Sequence, residues 1–226
     1  MPKILVTGAS GLLGGRLASY LKSKGADVIL GTRNSTATSQ FLRGFTVRQI
    51  CWSKRPSVRD VCEGIDTIIH TAGVNASDCA ENPKEAFFFN GKITREFVEH
   101  AASAGVDQFI FLSTAHVYGA PLLGKLDERS PTLNNHPYAI SNLEGEKQVS
   151  LVNNTKELNG ISIRLSNGFG CPLSPLADCW HLLINNICLQ ATIKRKISLS
   201  GNIHSVRDFV PISQVCEGIS LLTSRG

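Results

Sequence analysis

The sequence predicts an α/β protein, a doubly wound sheet of parallel strands with helices on both faces, and three observations predict it. Short apolar runs of strand length alternate with stretches of helical period along most of the 226 residues. Runs such as Asp66-Thr-Ile-Ile-His70 and Gln108-Phe-Ile-Phe-Leu112 are apolar at successive positions. That suits strands covered on both faces rather than half-exposed antiparallel ones. The first strand run is also followed at once by a glycine-rich turn and a helix.

Ile4 to Thr7 reads as a buried strand, and Leu12, Leu13, Leu17 and Leu21 follow at helical spacing. Between them lie Gly8, Gly11 and Gly14, spaced G-x-x-G-x-x-G. In a strand–turn–helix opening, Gly8 permits the tight turn, Gly11 lets the backbone approach a pyrophosphate, and Gly14 lets the helix pack close to the strand. The free amides and dipole of that helix then face the phosphates. Taken alone, these glycines also fit a plain surface turn before a helix.

Asp27-Val-Ile-Leu-Gly-Thr32 is the second strand, ending at Arg33-Asn-Ser35, and Phe45-Thr-Val-Arg-Gln-Ile50 the third. Ser57 to Glu63 reads as a short helix before the strand 66–70. Asn82-Pro83 opens a long helix through Ala104, capped at Gly105. Strand 108–112 leads into Ser113-Thr-Ala-His-Val-Tyr-Gly119, then a loop to His136, a helix over Tyr138–Val152 and a strand over Ile161–Leu165. Beyond Asn167 the pattern loosens into a Pro-containing stretch, a helix near Trp180–Leu189 and a last segment at Asp208-Phe-Val210. The expected organisation is a Rossmann-type domain over 1–166 and a small, apparently truncated substrate lobe over 167–226.

Composition excludes several classes. A hydrophobic share of 42% with 18% charged residues is that of an ordinary globular protein. No apolar run approaches the roughly 18 residues needed to span a bilayer. The net charge of +5 suits anionic nucleotide ligands, and Lys194-Arg195-Lys196, its one basic run, reads as solvated loop rather than a nucleic-acid footprint. Seven scattered cysteines without a C-x-x-C pair predict buried reduced thiols, with no disulfide framework and no metal centre. With a strand starting almost at Met1, the expectation is a cytoplasmic chain without a secretory leader.

Seven pieces then line up in order: Thr7-Gly-Ala-Ser-Gly-Leu-Leu-Gly14, Asp66-Thr-Ile-Ile-His-Thr-Ala-Gly73, Asn90, Ser113-Thr-Ala-His-Val-Tyr-Gly119, Pro137-Tyr-Ala-Ile-Ser141, Arg164-Leu-Ser-Asn167 and Arg207-Asp-Phe-Val210. In these the chain resembles the extended short-chain dehydrogenase/reductases, the branch of nucleotide-sugar epimerases, dehydratases and reductases. The resemblance implies hydride transfer at a nicotinamide, with Tyr138 exchanging a proton with a substrate hydroxyl and Thr114 bonding the same hydroxyl. It implies a cofactor site at Gly8, Ser10, Gly11, Leu12, Leu13, Gly14, Arg33, Thr71, Ala72, Gly73, Tyr138 and Asn142, and substrate contacts from Asn167 and Arg207. A homodimer through the helices near 84–104 and 139–152 is implied as well. Relatives continue for several tens of residues after the segment matching 207–210, so an incomplete, more open sugar pocket is expected.

The chain departs from the family pattern at four points. Where a lysine normally stands four residues after the tyrosine, it has Asn142. A unit charge at about 4 Å is worth roughly 4 kcal/mol at an effective dielectric of 20, or about three pKa units on a phenol. Asparagine there reaches the ribose but supplies no charge, so slow chemistry or none is expected. Strand two ends without an acidic residue; Arg33, with Asn34 and Ser35 beside it, suits a 2′-phosphate and favours NADP over NAD. Cys51 stands where the family commonly has an aspartate, so adenine must be held by backbone or by stacking. Ala115-His116 replaces the Asp-Glu pair of the 4,6-dehydratases, which argues against dehydration, and His116 is either an added acid/base or a packing and substrate-contact residue. Two functions follow: an NAD(P)-dependent oxidoreductase or epimerase acting on a nucleotide-linked sugar, or a dinucleotide-binding sensor or scaffold that has lost turnover.

Overall fold

The computed structural model describes residues 2–33, 43–119, 122–155, 157–175, 177–200, 202 and 204–223; Asn34 and Ser35 lie outside the described residues. Strands β1 (Lys3–Thr7), β2 (Asp27–Thr32), β3 (Thr46–Gln49), β4 (Thr67–His70), β5 (Gln108–Thr114) and β6 (Asn159–Leu165) form one sheet in the order β3-β2-β1-β4-β5-β6. All five pairings are parallel. The chain winds outward from β1 to β3, crosses back to β4 and continues to β6. Its direction reverses between β1 and β4, and such a reversal opens a crevice at the carboxyl ends of the strands.

Alternation along each strand splits the core in two. Ile4 and Val6 of β1 point to one face, Leu5 to the other. On the first face lie helix α1 (Leu12–Ser23), through Leu17, Ala18 and Leu21, and helix α8 (Ile212–Thr223), through Ile212, Val215, Cys216 and Ile219. On the second lie α2 (Arg55–Asp60), α5 (Thr94–Ser103) and α6 (Pro137–Thr155), through Val58, Phe97, Ala101 and Val149. The expected doubly wound Rossmann-type sheet is what forms.

Several elements differ from expectation. The long helix predicted over 82–104 forms as one run from Pro83 to Ser103, but its middle is π-helical. Helix α3 (Ala76–Glu81), capped by the Asn75 side chain, precedes α4 (Pro83–Ala86), capped by that of Asn82. A π-helical segment, Phe87–Ile93, then leads into α5. The wider turn brings Asn90 inward while Phe87 and Phe88 remain exposed, a use of π-bulges common near functional sites. Gly91 is required there, since a Cβ would sit 2.9 Å from Glu144 Cγ on α6. The helix placed near 180–189 is α7, Leu183–Lys194, and Lys194-Arg195-Lys196 closes it with Arg195 in the left-handed conformation. A second, two-stranded parallel sheet of β7 (Asn167–Phe169) and β8 (Phe209–Pro211) was not foreseen, nor was α8. The thiols are free, and Cys62, Cys79, Cys179 and Cys216 are buried, but Cys171 and Cys188 are exposed and Cys51 is half-buried. Those last three sit in segments that the core does not cover.

A polar clamp ties the site-bearing elements together. Glu146 on α6 accepts from Arg164 Nη2 at 2.7 Å and Nε at 3.0 Å, and from the Ser113 hydroxyl on β5. Arg164 on β6 also donates to the Tyr118 hydroxyl at 3.0 Å and stacks over its ring at 4.9 Å. The side chains of Arg164 and Glu146 are only 22% and 11% exposed, so removing one leaves a largely desolvated charge. Glu146→Ala is expected to destabilise the protein by about 3 kcal/mol. For a chain of this size that is about 6–12 °C in the unfolding midpoint, measurable by circular dichroism.

Candidate active site

The turn after β1 is built by missing side chains. Gly8 has φ +68°, and a Cβ on it would lie 2.7 Å from Thr71 Oγ1 and 2.8 Å from the Ala72 nitrogen. A Cβ on Gly14 would collide with the Gly8 carbonyl. Gly11 is the N-cap of α1 and offers no side-chain cap, so the first amides of the helix stay open to a ligand. Hydrogen bonds then lock β1 to β4: Thr71 Oγ1 donates to the Thr7 carbonyl at 2.6 Å, and Thr7 Oγ1 pairs with His70 Nδ1 at 2.8 Å.

Above this turn lies a cavity of about 730 Å³ lined by Gly8, Ser10, Gly11, Arg33, Thr71, Ala72 and Gly73 among the expected cofactor residues. Leu12 and Leu13 pack against the core instead, and Gly14 is buried beneath the turn. Arg33 is exposed at the end of β2. Trp52 and Phe89 also line the cavity, 5.6 Å apart edge to face. Of the two expected ways of holding adenine, backbone or stacking, Trp52 offers an aromatic surface for the second, in the loop after β3.

Tyr138, Thr114 and Asn142 form a second group at the carboxyl end of β5. The Thr114 hydroxyl lies beside the Tyr138 phenol and accepts from the His116 amide at 3.1 Å. Burial raises the Tyr138 pKa above the ordinary phenol value, and the neighbouring Thr114 hydroxyl opposes that rise. Asn142 is buried, but its Nδ2 donates to the Tyr138 carbonyl at 2.8 Å, and the Ser141 hydroxyl donates to the same carbonyl at 3.1 Å. The amide donor expected to reach a ribose is folded back on its own helix. Asn90 backs the group, accepting from the Val74 amide and donating to Ser141 Oγ, both at 3.0 Å.

At the mouth, His116 lies 6.5 Å from Tyr138, ring to ring. Its pKa is lowered, first by burial and then by Arg207 and His136. His136 was missed in the sequence, although its place before Pro137 marks a cap position; its Nδ1 accepts from the Tyr138 amide at 3.2 Å. Arg207 is exposed, and its charge reaches His116. Asn167, expected as a substrate contact, spends Nδ2 on the Asp208 carbonyl at 2.8 Å, pairing β7 with β8. Among the described residues no group of acidic, histidine and cysteine side chains is arranged to hold a metal ion, and no helix is long and apolar enough to cross a membrane.

Residues 4–226 match the model of the NAD dependent epimerase/dehydratase family. The chain belongs to that family. The expected place among the extended short-chain dehydrogenase/reductases is thereby borne out. A UDP-glucose 4-epimerase of Erwinia amylovora is 28% identical over 95% of this chain and 71% of its own length. Two solved structures share the fold. An epimerase of Methanothermobacter thermautotrophicus superposes with a TM-score of 0.85 at 23% identity, covering 98% of this chain and 67% of its own. A double mutant of a dTDP-glucose 4,6-dehydratase from Streptomyces venezuelae, holding NAD, gives 0.84 at 22% identity over 99% of this chain and 72% of its own.

His70 makes the family's cradle pH-sensitive. It is fully buried among Trp52, Phe97, Phe109 and Phe111, and desolvation lowers its pKa to about 3. The folded state therefore holds the neutral ring, and stability present above the unfolded pKa near 6.5 is lost as pH falls below it. Between pH 7.5 and pH 5 this group is expected to remove about 2 kcal/mol. Urea unfolding at the two pH values checks it: His70→Gln should lose correspondingly less.

Proposed function

We propose that the chain is a nicotinamide-dependent oxidoreductase or epimerase acting on a nucleotide-linked sugar, with Tyr138 as proton donor and acceptor. The observation that carries this reading is the Thr114–Tyr138 pair beside a glycine turn whose helix leaves its first amides open at the crevice. The bound dinucleotide supplies hydride transfer. Gly8, Gly11 and the first amides of α1 hold its pyrophosphate, and Trp52 stacks its base. Thr114 orients the substrate hydroxyl toward Tyr138, and Arg207 and Asn167 meet the diphosphate. The segment from residue 167 to β8 acts as the substrate lobe, while α8 belongs to the core of the main sheet.

Arg33, the cation at the end of β2 where an acidic residue would recognise a ribose hydroxyl, supports NADP over NAD. Arg33→Asp is expected to weaken NADP binding at least tenfold while changing NAD binding little, read by calorimetry. Equal loss of both ligands would remove Arg33 from the specificity assignment.

A second reading, a dinucleotide binder that has lost turnover, is supported by Asn142. Its side chain bonds back to the Tyr138 carbonyl one turn earlier, and burial keeps Tyr138 protonated at neutral pH. Asn142→Lys is expected to raise turnover of UDP-glucose or dTDP-glucose at pH 8 by at least tenfold, and to move the ascending limb of the pH–rate profile down by one to three pH units. Tyr138→Phe should abolish turnover in both backgrounds. Turnover that survives Tyr138→Phe would overturn the acid/base assignment; a silent wild type revived by Asn142→Lys would favour the binder.

A further inference from the structure

The groups around Tyr138 that the proton-transfer reading leaves unused are cations and hydrogen-bond donors. His116 follows the β5 end by two residues, where the 4,6-dehydratases of the family carry an Asp-Glu pair. Its backbone is held by Asn134, whose Nδ2 donates to the His116 carbonyl at 2.6 Å. The Asn134 Oδ1 in turn accepts from the His136 amide at 2.9 Å. One asparagine thus fixes both histidines relative to each other. The Nδ1 of His136 accepts from the Tyr138 amide, so its Nε2 carries the proton and faces outward as a donor. Arg207 brings a permanent charge from the segment before β8, close enough to act on His116. Among the described residues the permanent charge bearing on His116 is Arg207, and no carboxylate bears on it.

We infer that this mouth selects a substrate whose reacting sugar carries a carboxylate, a nucleotide-linked sugar acid rather than a neutral hexose. The inference rests on the nucleotide-sugar reading above and narrows it. An acidic pair beside the tyrosine repels an anionic sugar; an imidazole there, half-buried and backed by a guanidinium, receives one. The carboxylate takes a charge-assisted hydrogen bond from His116, strengthened because the site is partly desolvated. As the anion arrives it also stabilises the protonated ring, whose charge burial and Arg207 otherwise disfavour. Arg207 then serves whichever anionic group lies nearer, the diphosphate or the carboxylate, while His116 distinguishes the acid from the neutral sugar.

The test uses matched pairs, UDP-glucuronic acid against UDP-glucose and dTDP-glucuronic acid against dTDP-glucose, titrated by calorimetry into protein saturated with NAD or NADP at pH 7. The acid is expected to bind about tenfold more tightly than its neutral partner, the difference one charge-assisted bond contributes. His116→Gln should reduce the ratio to within about twofold, with the neutral sugar bound as before and the dinucleotide affinity intact as the control for folding. In the wild type, the His116 ring resonances should titrate at higher pH with the acid bound and not with the neutral sugar. Equal or tighter binding of the neutral sugar would overturn the inference alone. If the dinucleotide binds but no sugar of either pair does, the nucleotide-sugar reading fails and this inference fails with it.

Discussion

Everything in the candidate site depends on how closely α1 approaches the ends of β1 and β4. Gly8 and Gly14 leave no room for a Cβ, so the helix axis points its open amides at the crevice where the sheet reverses direction. Thr7, His70 and Thr71 then fasten the two strands beneath the turn. His70 works as a neutral hydrogen-bonding aromatic, which is why it tolerates a cage of Trp52 and three phenylalanines. A charged ring there would be costly to desolvate.

The same sheet edge that carries the cradle carries the proton-handling pair, and the two are unequal in completeness. The cradle has each feature that close ligand approach needs. The Thr114–Tyr138 pair has its hydroxyl partner and its rigid support through Ser113, Glu146 and Arg164, but among the described residues no cation lowers the phenol. Asn142 closes the remaining possibility from its own position by turning inward on its helix. A permanent positive charge stands at the mouth, on Arg207, where it bears on His116 and an arriving anion rather than on the phenol.

Much of this was legible in the residue pattern, for physical reasons. Buried parallel strands write continuous apolar runs, and the glycine turn writes itself as small residues at fixed spacing. The π turn within the helix over 83–103 was not legible. A π turn has no side-chain signature, and Asn82-Pro83 is as good a start for a continuous helix as for α4. The inward fold of Asn142 was also hidden, since an asparagine at a lysine's position fits a ribose as readily as its own helix carbonyl. His136 escaped because a histidine cap is chemically rarer than Ser, Thr, Asp or Asn. Helix α8, by contrast, shows Ile212, Val215, Cys216 and Ile219 at helical spacing, so its omission was a failure to count the period.

Helix α8 also sets the order in which the molecule can be assembled. Leu17 and Leu21 of the cradle helix are sealed by Val215, Cys216 and Ile219, residues almost two hundred positions later in the chain. During synthesis the cradle helix therefore emerges with its apolar stripe uncovered and stays so until nearly all of the sheet has been made. Contacts this distant in sequence close slowly. The cradle helix, translated well before α8, is among the last elements to become rigid.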